Sequence, residues 1–132
     1  MTSQHETNRH TRRVDGGYME VGDSQRVAPW LSIITPVKDA LTALARTRES
    51  LVSQDLAGVE WLIVDSSTDG DEVPLFIRQR AGIPVTYIYQ EPRGIFAAMN
   101  RGVTESAGDC VYFLNAGDAF LSSASLTTRR PA

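Results

Sequence analysis

The chain has 132 residues, 42% of them hydrophobic and 22% charged, with a formal net charge of -3. This suffices for one globular domain with its own core, and the negative balance excludes non-specific nucleic-acid binding, which needs a basic surface to displace counterions from phosphates. Cys110 is the single cysteine, so an intrachain disulfide is excluded.

Residues 1–28 are polar and lack a hydrophobic period, which predicts a disordered leader. Arg9, Arg12 and Arg13 lie there without a following apolar region, so no secretory or twin-arginine signal is read. His5 and His10 have no zinc-ligand spacing and read as tag-like. No apolar stretch is long enough to span a bilayer. The expected location is cytoplasmic, with peripheral association at the inner face of the membrane left open.

Order is expected from Pro29-Trp30 onward. Residues 31–35 read as a buried strand closed by Pro36. Asp39 then suits a helix cap, and Leu41, Leu44, Ala45, Arg48, Leu51 and Val52 follow a three-and-four spacing that predicts one apolar stripe. Gly58 ends the connection. Residues 59–64 form a second strand, and Asp65-Ser66-Ser67-Thr68-Asp69-Gly70 a polar turn. A short helix is predicted over 72–80, with Pro74 tolerable in its first turn. Residues 85–89 form a third strand, broken by Glu91-Pro92-Arg93-Gly94. Ile95, Met99 and Val103 give the next helix a face, and Gly108 suits its stop. Residues 110–114 form a fourth strand, with Cys110 read as a small buried hydrophobe. Residues 121–132 read as an irregular tail.

Strands alternating with helices, each strand nearly continuously apolar, predict an α/β fold: a mostly parallel sheet with helices on both faces. Ligands in such sheets bind beyond the carboxyl ends of the strands. Those ends are polar here: Thr35-Pro36-Val37-Lys38-Asp39, then 65–70, then Asn115-Ala116-Gly117-Asp118, with Arg93 in the third loop. Each alone also reads as a turn, a cap or a solvated side chain. Asn100 sits mid-helix, either facing the cleft or as a mild oddity. Together they suit a base, a ribose and a diphosphate. Asp65 can accept hydrogen bonds from an imide or hydroxyls, Asp118 can offer a hard oxygen to Mg²⁺ or Mn²⁺, and Arg93 or Arg101 can fork onto phosphate oxygens. Neither G-x-x-x-x-G-K-[ST] nor G-x-G-x-x-G follows the first strand.

These segments resemble family 2 glycosyltransferases, the large inverting GT-A group. Leu31-Ser32-Ile33-Ile34-Thr35-Pro36 resembles its opening strand. Trp61-Leu62-Ile63-Val64-Asp65 with Ser66-Ser67-Thr68-Asp69-Gly70 resembles its second strand and "VDGGSTDGT" loop. Gly94-Ile95-Phe96-Ala97-Ala98-Met99-Asn100-Arg101-Gly102 resembles the "GIYDAMNKG" helix of a subgroup making bacterial exopolysaccharides and cell-envelope glycolipids. Phe113-Leu114-Asn115-Ala116-Gly117-Asp118 resembles that subgroup's "FLNSGD" form of the Asp-x-Asp loop. The match covers 31–120.

The resemblance implies a Rossmann-like GT-A nucleotide-binding half over 29–120 and a nucleoside-diphosphate sugar as donor. It places Thr35 and Pro36 at the base, Asp65 on base or ribose, Asp69 near the same pocket, and Asn115 at the diphosphate. Arg93 and Asn100 join the donor-binding set. Asp118 becomes the metal ligand, and the cation weakly bound, because Asn115 and Gly117 replace aspartates. Ala97 also stands where the subgroup often has aspartate. The acceptor would be a glycolipid or polysaccharide. An inverting transfer needs a general base, which in the family comes from the second half; residues 121–132 hold no Asp or Glu. The expectation is therefore a donor-binding half without turnover of its own. A non-catalytic remnant, a fragment completed by another polypeptide, and an unrelated α/β binding module are the competing readings.

Overall fold

The computed structural model describes residues 18–21, 28–79 and 84–118; the expectations for His5, His10 and residues 121–132 lie outside them. Five strands form one sheet: β1 (Tyr18–Val21), β2 (Leu31–Val37), β3 (Val59–Asp65), β4 (Val85–Tyr89) and β5 (Cys110–Phe113). Their order is β1-β4-β3-β2-β5. β1 runs antiparallel to β4, and the other neighbours are parallel. Helices α1 (Leu41–Val52), α2 (Glu72–Gln79) and α3 (Ile95–Glu105) connect the parallel strands. Residues 18–21 fall inside the segment expected to be a disordered leader, so that expectation is corrected there. Tyr18 and Val21 favour extended backbone, and pairing with β4 satisfies main-chain groups that the short segment cannot satisfy alone.

The two-residue period of β3 sorts the core onto two faces. Trp61 and Ile63 join Ile33, Tyr87, Leu44, Leu51, Val73 and Phe76 on the side of α1 and α2. Leu62 and Val64 join Ile34, Ile88 and Ala98 under α3. All seven residues of β3 are buried, as a parallel strand covered on both faces requires. No helix among the described residues is long and apolar enough to cross a membrane.

β2 does not stop at Pro36 but runs on to Val37. Trp30 and Ile34 bond towards β5 through their carbonyls, which receive the Cys110 and Leu114 N–H groups. Pro36 shares their parity and faces the side where that ladder has ended, so its missing N–H removes no bond.

Four local expectations are corrected. Asp39 does not cap α1: the cap is Ala40 without a side-chain bond, and Asp39 has φ 52 with its carboxylate turned to Thr68. The buried stripe of α1 is Leu44, Thr47 and Leu51; Arg48 is half-buried and Val52 exposed, because the stripe turns towards the loop after β5. Cys110 is exposed, since none of the described helices packs closely over β5. Gly108 is not the stop of α3, which ends at Glu105 with Ser106 as cap. A Cβ on Gly108 would sit 2.6 Å from Ser32 Oγ and 2.7 Å from Ser32 N, so a side chain there forces the two segments apart.

That approach closes a polar knot at the amino ends of the strands. Ser32 Oγ donates to Glu60 Oε2, Ala107 N–H donates to the same oxygen at 2.7 Å, and Gly108 N–H donates to Ser32 Oγ at 2.8 Å. A buried carboxylate with several donors is satisfied in place. It ties β2, β3 and the entry to β5 together at the end opposite the polar loops.

Candidate functional site

The loops after β2, β3, β4 and β5 all leave the sheet at its carboxyl edge, where open α/β sheets place their ligands. Thr35 and Asp65 form the rear layer. Thr35 is fully buried, and its Oγ1 accepts the Trp61 indole N–H at 2.8 Å. Asp65 is 0% exposed. Its Oδ1 accepts the Ser67 N–H at 2.9 Å, and its Oδ2 accepts the Tyr87 hydroxyl at 2.6 Å. Burial raises the Asp65 pKa above the ordinary carboxylate value; the bonds from Ser67 and Tyr87 oppose the rise and the nearby Asp39 charge adds to it.

The Thr35 and Asp65 side chains share the face of Trp61 and Tyr87; on the opposite face of the sheet, the α3 side, lies a cleft of about 220 Å³ lined by Pro36, Val37, Lys38, Ser66, Gly94 and Ile95, among others. Its wall is the first turn of α3, whose cap Gly94 has φ 94 and provides no side-chain cap. The slot beside that uncapped turn is mostly apolar with a polar rim. Arg93 precedes it and pairs with Glu91 at 3.5 Å in an exposed ion pair.

A second depression, on the side of α1 and α2, is lined by Asp39, Thr68, Asp69 and Glu72, among others. Asp69 Oδ1 accepts the Asp71 N–H at 2.9 Å, the Asx turn that its neighbours favour. The two depressions are separated by the crossing of the β2 and β3 loops. There Asp39 N–H donates to Ser67 Oγ at 2.9 Å and Thr68 N–H donates to Asp39 Oδ1 at 2.8 Å.

Asn115, Ala116, Gly117 and Asp118 form a turn. Asp118 N–H donates to the Asn115 carbonyl at 2.9 Å, and Gly117 has φ 100. Glycine at the third position with positive φ is the type II requirement, so the residue standing between the two oxygen-bearing side chains is dictated by the turn. The turn rests on α1. Thr47 Oγ1 accepts the Gly117 N–H at 2.9 Å and donates to the Asp118 carbonyl at 2.8 Å, and Arg46 lies beside Gly117. The Asn115 and Asp118 side chains are exposed.

The structure thus brings Pro36 and the approach from Arg93 to one cleft and Asp69 to another. Asn115 and Asp118 share the turn on α1, while Thr35 and Asp65 lie beneath. Asn100 is exposed on α3, outside the residues lining the cleft, and Arg101 is occupied by Glu105 at 3.2 Å. Sequence reasoning passed over Thr47, Arg46 and Tyr87, and took Asp39, Ser66 and Ser67 only as members of polar strand ends without a site role of their own. For Thr47 a signal existed: a hydroxyl on the core face of an amphipathic helix must find a partner.

Among the described residues no three His, Cys, Asp or Glu side chains gather as a metal cage. One carboxylate and one carboxamide at a turn instead suit a hard cation that shares its remaining positions with water and substrate phosphates.

This architecture is that of a glycosyltransferase-type α/β domain. The chain belongs to glycosyl transferase family 2, whose model matches residues 32–125. It is 33% identical over 95 residues to uncharacterized glycosyltransferases from two strains of Mycobacterium tuberculosis, a stretch covering 70% of this chain and 36% of theirs. It spans, therefore, about a third of the length of the curated relatives it matches. The fold is similar to that of the mannosyltransferase PcManGT from Pyrobaculum calidifontis, solved with GDP-Man and Mn²⁺, with a TM-score of 0.67 at 19% identity over 94% of this chain and 37% of that one. It is also similar to Staphylococcus aureus TarS 1-349 solved with UDP-GlcNAc, with a TM-score of 0.62 at 21% identity over 75% of this chain and 29% of that one. The fold is the GT-A Rossmann-like one, and the reading as an unrelated α/β module is set aside.

Proposed function

We propose that residues 29–120 bind the nucleoside diphosphate of a sugar donor, with the sugar destined for an envelope glycolipid or polysaccharide acceptor. The observation that carries this reading is the meeting, at one sheet edge, of a narrow apolar cleft and a type II turn presenting Asn115 and Asp118. The cleft suits a planar base. Pro36 borders it, and Asp65 is assigned to base or ribose from the α1 and α2 face of the sheet, where it is buried against Ser67 and Tyr87. Asp69 and Arg93 are assigned to the path of the ribose and phosphates, and Asn100, outside the cleft lining, would meet only a part of the donor that extends over α3. Asp118, helped by Asn115, would hold Mg²⁺ or Mn²⁺ weakly. Such a cation offsets charge on the departing diphosphate. The solved neighbours with GDP-Man and UDP-GlcNAc support a nucleotide-sugar ligand without choosing between bases.

Transfer also requires acceptor contacts and a general base. The chain covers 36% of its curated relatives, so we infer that a polypeptide of these residues alone binds donor without turning it over, the acceptor contacts and the base lying outside the matched stretch. The test is titration calorimetry with UDP-, GDP- and dTDP-sugars, with and without Mn²⁺. Binding by one of them, weakened about tenfold or more in Asp118→Ala when Mn²⁺ is present, is expected from loss of a charged ligand. Robust sugar transfer by this polypeptide alone would contradict the second inference while leaving the first intact.

A further inference from the structure

The turn that carries Asn115 and Asp118 is gripped by a single hydroxyl 70 residues away in sequence. Thr47 is 0% exposed on α1. A buried helical threonine ordinarily turns its hydroxyl back to the carbonyl four residues earlier. This one instead accepts the Gly117 N–H at 2.9 Å and donates to the Asp118 carbonyl at 2.8 Å, with the Asn115 carbonyl 3.5 Å away. A hydroxyl has one donor hydrogen and two lone pairs, so the loop takes the donor and one acceptor position. The Asn115 and Asp118 side chains are exposed, and their bearing follows from the backbone that Thr47 holds.

The other end of the same helix is tied to the other half of the site. Just ahead of α1, Asp39 N–H donates to Ser67 Oγ, and the Asp39 carboxylate receives both the N–H and the hydroxyl of Thr68. Ser67 N–H in turn donates to Asp65. One helix thus spaces the loop after β3 from the turn after β5.

We propose that Thr47 is a positioning residue: through the backbone of the turn it sets where Asp118 and Asn115 present their oxygens to a divalent cation. The proposal rests on the reading of that turn as the metal side of a donor site. Its test uses the ¹⁵N-labelled full chain and Mn²⁺ alone, so that it is separate from nucleotide binding. In the wild type, Mn²⁺ should broaden the Gly117 and Asp118 amide resonances before those of the core strands. In Thr47→Val, which keeps the shape and removes the hydroxyl, the Gly117 amide should exchange with solvent faster. The Mn²⁺ concentration needed for equal broadening should then rise about tenfold, the scale of one lost buried hydrogen bond. Thr47→Ser should restore both. Broadening that is equal in Thr47→Val and wild type, with the Gly117 amide released, would overturn the positioning role. Absence of selective broadening in the wild type would overturn it too, even if nucleotides bind by calorimetry. If Thr47→Val does not fold, the Thr47→Ser chain decides: unaltered Gly117 exchange and Mn²⁺ response support the proposal, and a response lost despite a retained hydroxyl contradicts it.

Discussion

At the scale of single residues, the site is built on groups whose obvious role is not the one they have. Asp65 ends a strand in the position where an acceptor for a ligand is expected, yet both of its oxygens already serve Ser67 and Tyr87. The raised pKa has a consequence for stability. Folding favours the protonated form, so the contribution of Asp65 is fully present below the ordinary carboxylate pKa of about 4 and is lost as pH rises through the raised value. Asparagine cannot ionise. In urea denaturation at a series of pH values, the stability of Asp65→Asn relative to wild type should therefore improve as pH rises above about 4; a difference that does not change with pH would contradict the shift. Gly108 is a second case. A methyl group there meets the Ser32 backbone at 2.7 Å, which cannot move without breaking the knot with Glu60. Gly108→Ala should cost roughly 1–3 kcal/mol in the same assay, the range of an overpacked core. Neither feature is legible in the chain, because both depend on residues brought close from far along it.

At the scale of elements, much was legible. The runs at 59–64 and 85–89 are strands because five residues in each are of β-branched, aromatic or aliphatic type and fit a sheet buried on both faces. The start of α3 followed from Ile95, Met99 and Val103 and the break at Pro92-Arg93-Gly94, while its stop lies short of the expected Gly108. What stayed hidden was tertiary. Tyr18–Val21 are a strand only because β4 offers an open edge. Asp39 adopts positive φ because the β3 loop receives its carboxylate, and Thr47 replaces Arg48 on the buried side of α1 because the turn after β5 lies there. The seating of α3 on the sheet is testable. A Cβ on Gly102 would lie 2.4 Å from Ile34 Cγ2, and Ile34 is fully buried with a stiff β-branched side chain. Alanine would gain about 1 kcal/mol of helix propensity, but separating helix from sheet costs roughly 1–3 kcal/mol. Gly102→Ala should lower the melting temperature; a rise would show that α3 is seated more loosely than described.

At the scale of the whole molecule, a parallel sheet with helices on both faces directs its polar loops to one edge, and three of the motifs that resemble family 2 end there. The family and the fold were therefore legible from strand ends read together, each of which is ambiguous alone. The division of the candidate residues was not. Asp69 faces the α1 and α2 side, Pro36 the α3 side, and the Asn115–Asp118 turn is carried by α1, an arrangement set by the two-residue period of strands and not by proximity in sequence. The central claim is that this edge binds a nucleoside diphosphate together with a divalent cation. Calorimetric titration of the purified chain with UDP and GDP, in the presence and absence of Mn²⁺, tests it most directly. A donor-binding domain predicts saturable one-to-one binding of one of the two, tightened by Mn²⁺ in the wild type and not in Asp118→Ala; no binding of either nucleotide, or a Mn²⁺ effect that survives in Asp118→Ala, would contradict it.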